Sequence, residues 1–197
     1  MGSITDFWNK MFHSKRINFL GLKGAGKTQL LASFGAIGLT PGTESHGEGY
    51  ESFSVRLSEI DKRIFVKCGV DYGGGLSAFV SHFKKLIQQG DFVFFVIDIN
   101  DFLLDKKTDT KGHSYQTDVL ARLDIINELT NNKQKDRVHI LLTHADLHPE
   151  FSASELIDKF SNFTESKPYY VLTKNCRALD ARDQATVKKI LYDIIAL

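Results

Sequence analysis

Hydrophobic and polar positions along the chain change period repeatedly. Arg16 to Leu20 is a short apolar-rich run of strand length. Gln29 to Phe34 then places Leu30, Leu31 and Phe34 at helical spacing. Tyr50 to Leu57 alternates polar and apolar residues, as a half-exposed strand does, and Ile64 to Val70 reads as its partner in a hairpin. Ser77 to Gln89 carries Phe79, Val80, Phe83, Leu86 and Ile87 at helical spacing, with Gly90 placed to end it. Phe92 to Ile97 is a continuous apolar run of the kind buried on both faces of a parallel sheet, and Asp98 follows it. The polar stretch from Asn100 to Ser114 reads as a long loop.

The remaining pattern predicts a helix over 115–131, a strand over 138–142, a helix over 152–163, a short strand over 169–172 and a helix over 183–196. Ser152 followed by Glu155 is a capping-box signature. Six strands alternating with five helices predict an α/β domain of three layers, with a six-stranded, mostly parallel sheet that includes one antiparallel hairpin. The division expected is an N-terminal amphipathic extension over 1–16 and one domain over 17–197. With 197 residues the chain is long enough for one full core and too short for two ordinary domains.

Chemistry enters at Gly21-Leu22-Lys23-Gly24-Ala25-Gly26-Lys27-Thr28, which fits the phosphate-loop pattern G-x-x-x-x-G-K-S/T at every fixed position. Glycines let successive backbone N–H groups turn toward phosphate oxygens. Lys27 is placed to reach the β- and γ-phosphates, and the Thr28 hydroxyl to ligate Mg²⁺. A helix opening near Gly26 adds its N-terminal dipole to the same anion site.

Two further clusters follow strand ends, where such a domain places its site. Asp71-Tyr72-Gly73-Gly74-Gly75 offers a carboxylate for the Mg²⁺ hydration shell and, at Gly74, a backbone amide for a γ-phosphate. Thr143-His144-Ala145-Asp146 offers a carboxylate able to accept from the N1–H and 2-amino group of guanine. Adenine supplies neither donor in that arrangement, so Asp146 would penalise the wrong base.

In that order and spacing, the motifs resemble a small GTPase of the Ras-like superfamily, most similar to its Arf and SRP-receptor-β branches. The likeness runs over nearly the whole chain, from Met1-Gly2 through the loop, Asp71 to Gly74, Asn100-Asp101 and Thr143 to Asp146. It implies a Ras-like phosphate-loop fold, GTP or GDP with Mg²⁺ as cofactors, and a protein effector or activator as partner. The implied phosphate-binding residues are Lys23, Gly24, Ala25, Gly26, Lys27, Thr28 and Gly74. Thr143, His144, Asp146 and Asn175 are the implied guanine-binding set, Asn175 standing in a poor match to the last family motif at Thr173 to Cys176. Thr28, Thr43 and Asp71 are the implied metal ligands, with Thr40 the alternative switch threonine to Thr43.

The departures matter as much. Gly75 stands where the family keeps the glutamine that orients the attacking water, so the resemblance implies slow GTP hydrolysis and leaves the catalytic residue unknown. His144 replaces the lysine whose stem packs on the base, and Thr143 replaces an asparagine. Lys23 lies where many relatives have glycine or aspartate. Two GTP readings therefore stand together: a switch ordered by the triphosphate, and a catalytically deficient scaffold that holds GTP. A third, an ATP-using small-molecule kinase, lacks an arginine-bearing lid.

Charge and composition narrow the partners. Basic and acidic residues balance at 25 against 24, so no net basic field argues for nucleic acid. Cys68 and Cys176 have neither metal-ligand nor disulfide spacing. With no signal peptide, they suggest a reducing, cytoplasmic setting. Ile4, Phe7, Trp8, Met11 and Phe12 recur at helical spacing beside Lys15-Arg16. Residues 4–12 thus suit either peripheral contact with a membrane or packing against the domain.

Overall fold

The structure, a computed structural model, describes residues 14–36, 48–50, 53–57, 62–66, 69–71, 84, 86–88, 90–108, 113–130 and 132–195. The amphipathic stripe over 4–12, Thr40, Thr43, Cys68, Gly74 and Gly75 lie outside these residues. Four strands form an all-parallel sheet in the order β2-β7-β8-β9: β2 is Ile17–Gly21, β7 Phe92–Asp98, β8 Val138–Thr143 and β9 Cys176–Ala178. Parallel pairing joins Gly21 to Val96 and Asp98 to Thr143, which brings the carboxyl ends of three strands level.

The continuous apolar run in β7 is buried on both faces, and its residues divide by parity. Val93, Phe95 and Ile97 face one cluster, which they share with Val119, Leu123 and Ile126 of α3 (Tyr115–Leu129) and Leu156 and Phe160 of α5 (Ala153–Asn162). Phe94 and Val96 face the other, with Leu30, Leu31 and Phe34 of α1 (Lys27–Phe34) and Val187, Leu191 and Ile194 of α7 (Gln184–Ile195). Helices thus cover both faces, an α/β arrangement compatible with the three layers expected. Complete burial of a Phe or Leu contributes about 1.5–3 kcal/mol, so these two clusters carry most of the stability. Among the described residues no helix is long and apolar enough to cross a membrane.

Among the described residues the single six-stranded sheet with one hairpin is not found. Outside the parallel sheet, β1 (Ser14–Lys15), β5 (Lys62–Val66) and β4 (Phe53–Leu57) make a three-stranded set in the order β1-β5-β4. There Phe53–Leu57 runs antiparallel to Lys62–Val66. A separate antiparallel pair joins β3 (Glu48–Tyr50) to β6 (Gly69–Asp71). Each of the two long runs read as one strand is therefore divided between two pairings.

Helices number seven among the described residues, besides helical positions at 84 and 86–88. One addition is α2 (Ile99–Leu103), which runs into the stretch from Asn100 read as loop. Asp98 caps it, Oδ1 accepting from the Asp101 N–H at 3.0 Å, while Ile99 and Phe102 bury at i, i+3. Another is α4 (Asn132–Lys135), set off where α3 ends. The third is α6 (Tyr170–Thr173), where residues 169–172 were expected to be a strand. Tyr169 and Leu172 are buried while Tyr170 and Val171 are exposed, a spacing of three that belongs to a helix. The last strand is Cys176–Ala178 instead, with Arg177 exposed between two buried neighbours. The Ser152 capping box is present: Ser152 Oγ accepts from the Glu155 N–H, and Glu155 Oε2 from the Ser152 N–H at 2.7 Å.

His139 sits on β8 against the Phe92 and Phe94 rings, its Nε2 buried without a hydrogen-bond partner. Burial, reinforced by Arg177, pushes its pKa down from 6.5 to about 4. A native pKa below the unfolded value means stability is whole above pH 6.5 and drains away as pH falls toward 4. Chemical denaturation from pH 7.5 to 4 should show this loss, and His139→Leu should flatten it.

Candidate functional site

The loop from Leu22 to Gly26 carries the chain from β2 into α1, and three glycines set its path. Gly21 has φ +152°, and a Cβ there would lie 2.2 Å from the Val96 carbonyl oxygen, so β2 runs against β7 too closely for any side chain. Gly24 has φ +79° with open space around it. Gly26 has φ +84° and caps α1 in the left-handed region, its carbonyl accepting from the Leu30 N–H at 2.9 Å. A strand, a turn through left-handed glycines and a helix opening at Lys27 are the context that the phosphate-loop pattern requires.

Lys27 curls back into this loop. Its ammonium donates to Gly21 O at 3.2 Å and to Leu22 O at 2.9 Å, and the residue is 4 % exposed. Buried charge needs such partners, and the two carbonyls hold the lysine inside the ring of the loop. Thr28, next on the helix, is also buried, whereas Lys23 and Gly24 are exposed.

Thr143 joins that loop to the end of β8. Its side chain is 0 % exposed, and Oγ1 lies 2.9 Å from Ala25 O and 3.1 Å from Ile97 O, donating between the two carbonyls. The Gly26 Cα approaches the same side chain: a Cβ added there would sit 3.5 Å from Thr143 Cγ2. The Thr143 hydroxyl thus bonds directly to the backbone of the Gly21 to Thr28 loop.

His144 follows with φ +58°, a left-handed turn that swings the chain off the sheet. Its Nδ1 lies 3.0 Å from Asp98 Oδ2, at the end of the neighbouring strand. The hydrogen bond to Asp98 raises the His144 pKa above 6.5 against the opposing effect of burial, helped by the Asp98, Asp146 and Asp101 charges. Asp98 therefore does two jobs, one oxygen capping α2 and the other orienting His144.

Asp146, in the 3₁₀ turn Ala145–Leu147, is half-buried and paired with Arg182, whose Nη2 contacts Asp146 Oδ2. Arg182 stands in the loop after β9 and also donates from Nε to Asp180 Oδ1 at 3.2 Å. The sequence reading missed Arg182 and the partner role of Asp98. Arg182 becomes visible only once the last strand is placed at Cys176–Ala178, because the loop that follows then reaches the Asp146 turn.

The remaining candidates separate. Lys23, Gly24, Ala25, Gly26, Lys27, Thr28, Thr143, His144 and Asp146 gather at the carboxyl ends of β2, β7 and β8. Asn175 does not: its Nδ2 donates to Val138 O at 3.3 Å, at the start of β8 and the opposite end of the sheet. Asp71 ends β6, which runs beside β2 and pairs Asp71 with Glu48.

No family model matches the chain, and no curated protein matches it. Solved structures do, 778 chains in all, so the architecture is too widely shared to assign a role. One of them, a crystal structure of a mutation variant of SsGBP, is 14% identical with a TM-score of 0.57. The match covers 98% of this chain and 58% of that one. At that identity the likeness shows the fold alone.

Two measurements test the packing of the site. Gly21→Ala should cost about 3 kcal/mol in urea unfolding, because the Val96 carbonyl must move, whereas Gly24→Ala should cost only about 1–2 kcal/mol of left-handed strain. For His144, a pKa raised on folding gives a contribution that is complete below about pH 6.5 and lost as pH climbs through the raised value. The difference in melting temperature between wild type and His144→Asn, which tolerates positive φ, should therefore shrink from pH 5.5 to 8.5.

Proposed function

We propose that the chain is a GTP-binding protein of the small GTPase type, with a Ras-like phosphate-loop domain and Mg²⁺ as cofactor. The observation that carries this reading is the 2.9 Å bond from Thr143 to Ala25, which ties the phosphate loop to the segment bearing Asp146. The bond supports reading a loop that fits phosphate and a carboxylate that fits guanine as parts of one site.

In this reading the loop amides from Gly24 to Thr28 and the α1 dipole bind the phosphates, with Lys27 supplying charge. Asp146 accepts from guanine N1–H and the 2-amino group, and the His144 ring packs on the base. Thr28 would hold Mg²⁺, with Thr43 and Asp71 the further ligands that the family resemblance implies, and the ion would offset phosphate charge. Gly74 would sense the γ-phosphate. Gly75 has no side chain to orient water, so hydrolysis is slow and a partner accelerates it. The second reading, a scaffold that keeps GTP, is favoured by the same Gly75.

Nucleotide released from the purified protein identifies the base, and single-turnover hydrolysis then separates the two readings. Guanine nucleotide is expected, with GDP favouring a switch and long-lived GTP favouring a scaffold. Asp146→Asn should move preference toward xanthine nucleotides, and Lys27→Ala should weaken GDP binding by about 10- to 100-fold. Preference for ATP, or guanine selectivity untouched by Asp146→Asn, would refute the proposal.

A further inference from the structure

Asp146 does not stand alone, and its neighbour has the chemistry that guanine leaves unanswered. The Watson–Crick edge of guanine presents an acceptor at O6 beside two donors, N1–H and the 2-amino group. A carboxylate satisfies the donors and nothing else. The O6 position calls for a donor next to that carboxylate, and the Arg182 guanidinium touches Asp146 Oδ2.

We propose that Arg182 is a specificity-determining residue that donates to guanine O6 while Asp146 accepts from N1–H and the 2-amino group. The inference rests on the guanine-binding reading of Asp146. Together the two side chains form a donor–acceptor–acceptor edge, the complement of guanine and of no other common base. Adenine would set its 6-amino donor against the guanidinium. A carboxylate has about four lone-pair sites, and a guanidinium five N–H donors, so both can keep their mutual contact while meeting the base.

Arg182 is also held in place. The Leu179 N–H donates to Leu142 O at 2.9 Å, binding its loop to the end of β8. Ser33 Oγ, on the helix that opens at the phosphate loop, donates to Ala181 O at 2.8 Å. Asp180 Oδ1 accepts from both the Arg182 N–H at 2.8 Å and its Nε at 3.2 Å. Two bonds to the rest of the fold and one within the loop thus hold Arg182 before any ligand arrives, which lowers the ordering cost of binding. The ion pair itself is surface-exposed, with the Arg182 side chain 68% accessible, so it adds little to fold stability. The same exposure means that truncating it opens no cavity.

Calorimetric titration with GDP and with 6-thio-GDP tests the assignment, since sulfur at position 6 accepts poorly while N1–H and the 2-amino group remain. Wild type should bind GDP about tenfold tighter than 6-thio-GDP. Arg182→Ala should weaken GDP about tenfold, leave 6-thio-GDP nearly unchanged and so erase the discrimination. Arg182→Lys, which keeps a donor, should restore part of it. GDP binding unchanged or tightened in Arg182→Ala would overturn the assignment, as would equal losses for both nucleotides. Failure of the underlying reading looks different: wild type would bind neither nucleotide, or Asp146→Asn would leave GDP affinity intact.

Discussion

The buried Thr143 hydroxyl is the point on which the site depends. One proton is directed between the carbonyls of Ala25 and Ile97, so the phosphate loop and the ends of β7 and β8 meet at a single oxygen. Without it, the buried bond between the loop and the sheet ends would be lost, at a cost of about 1–3 kcal/mol. The contact is possible because Gly21 lets β2 lie against Val96 and because Gly26 brings the loop backbone to the Thr143 side chain. Lys27 closes the arrangement from within, bonded to the first two carbonyls of its own loop. Loop shape, strand spacing and helix start are therefore consequences of one another.

Around this rigid centre the charged groups are arranged by degree of burial. Asp98 is almost fully enclosed and spends both oxygens, one on the α2 N-terminus and one on His144. That pairing fixes the turn from which Asp146 projects. Asp146 and Arg182 lie further out, where an ion pair is weak as a support for the fold yet available to a polar ligand. Position along the gradient from core to surface separates groups that shape the site from groups able to recognise something in it.

Much of this was legible in the sequence, for local reasons. The phosphate loop is eight consecutive residues whose geometry follows from their own φ preferences, and the Ser152 capping box spans four. The apolar run at Phe92 to Ile97 announced a strand buried on both faces. What the sequence hid depends on distant pairing. Two runs that read as single strands are divided between two antiparallel pairings, which no local pattern reveals. Tyr169 to Leu172 has β-favouring composition, but burial of its first and last residues makes it a helical turn. That shift moved the last strand onward, which carried Asn175 to the far end of the sheet and placed Arg182 beside Asp146.

The most direct measurement is backbone amide NMR of the full chain titrated with Mg²⁺ and GDP. If the loop and the Asp146 turn are one guanine nucleotide site joined through Thr143, the amides of Gly24, Gly26, Lys27 and Thr28 should shift along the same saturation curve as those of His144 and Asp146. ADP should produce only weak loop shifts. Loop amides that respond while residues 143–146 stay still, or an identical response to ADP, would contradict a single guanine nucleotide site.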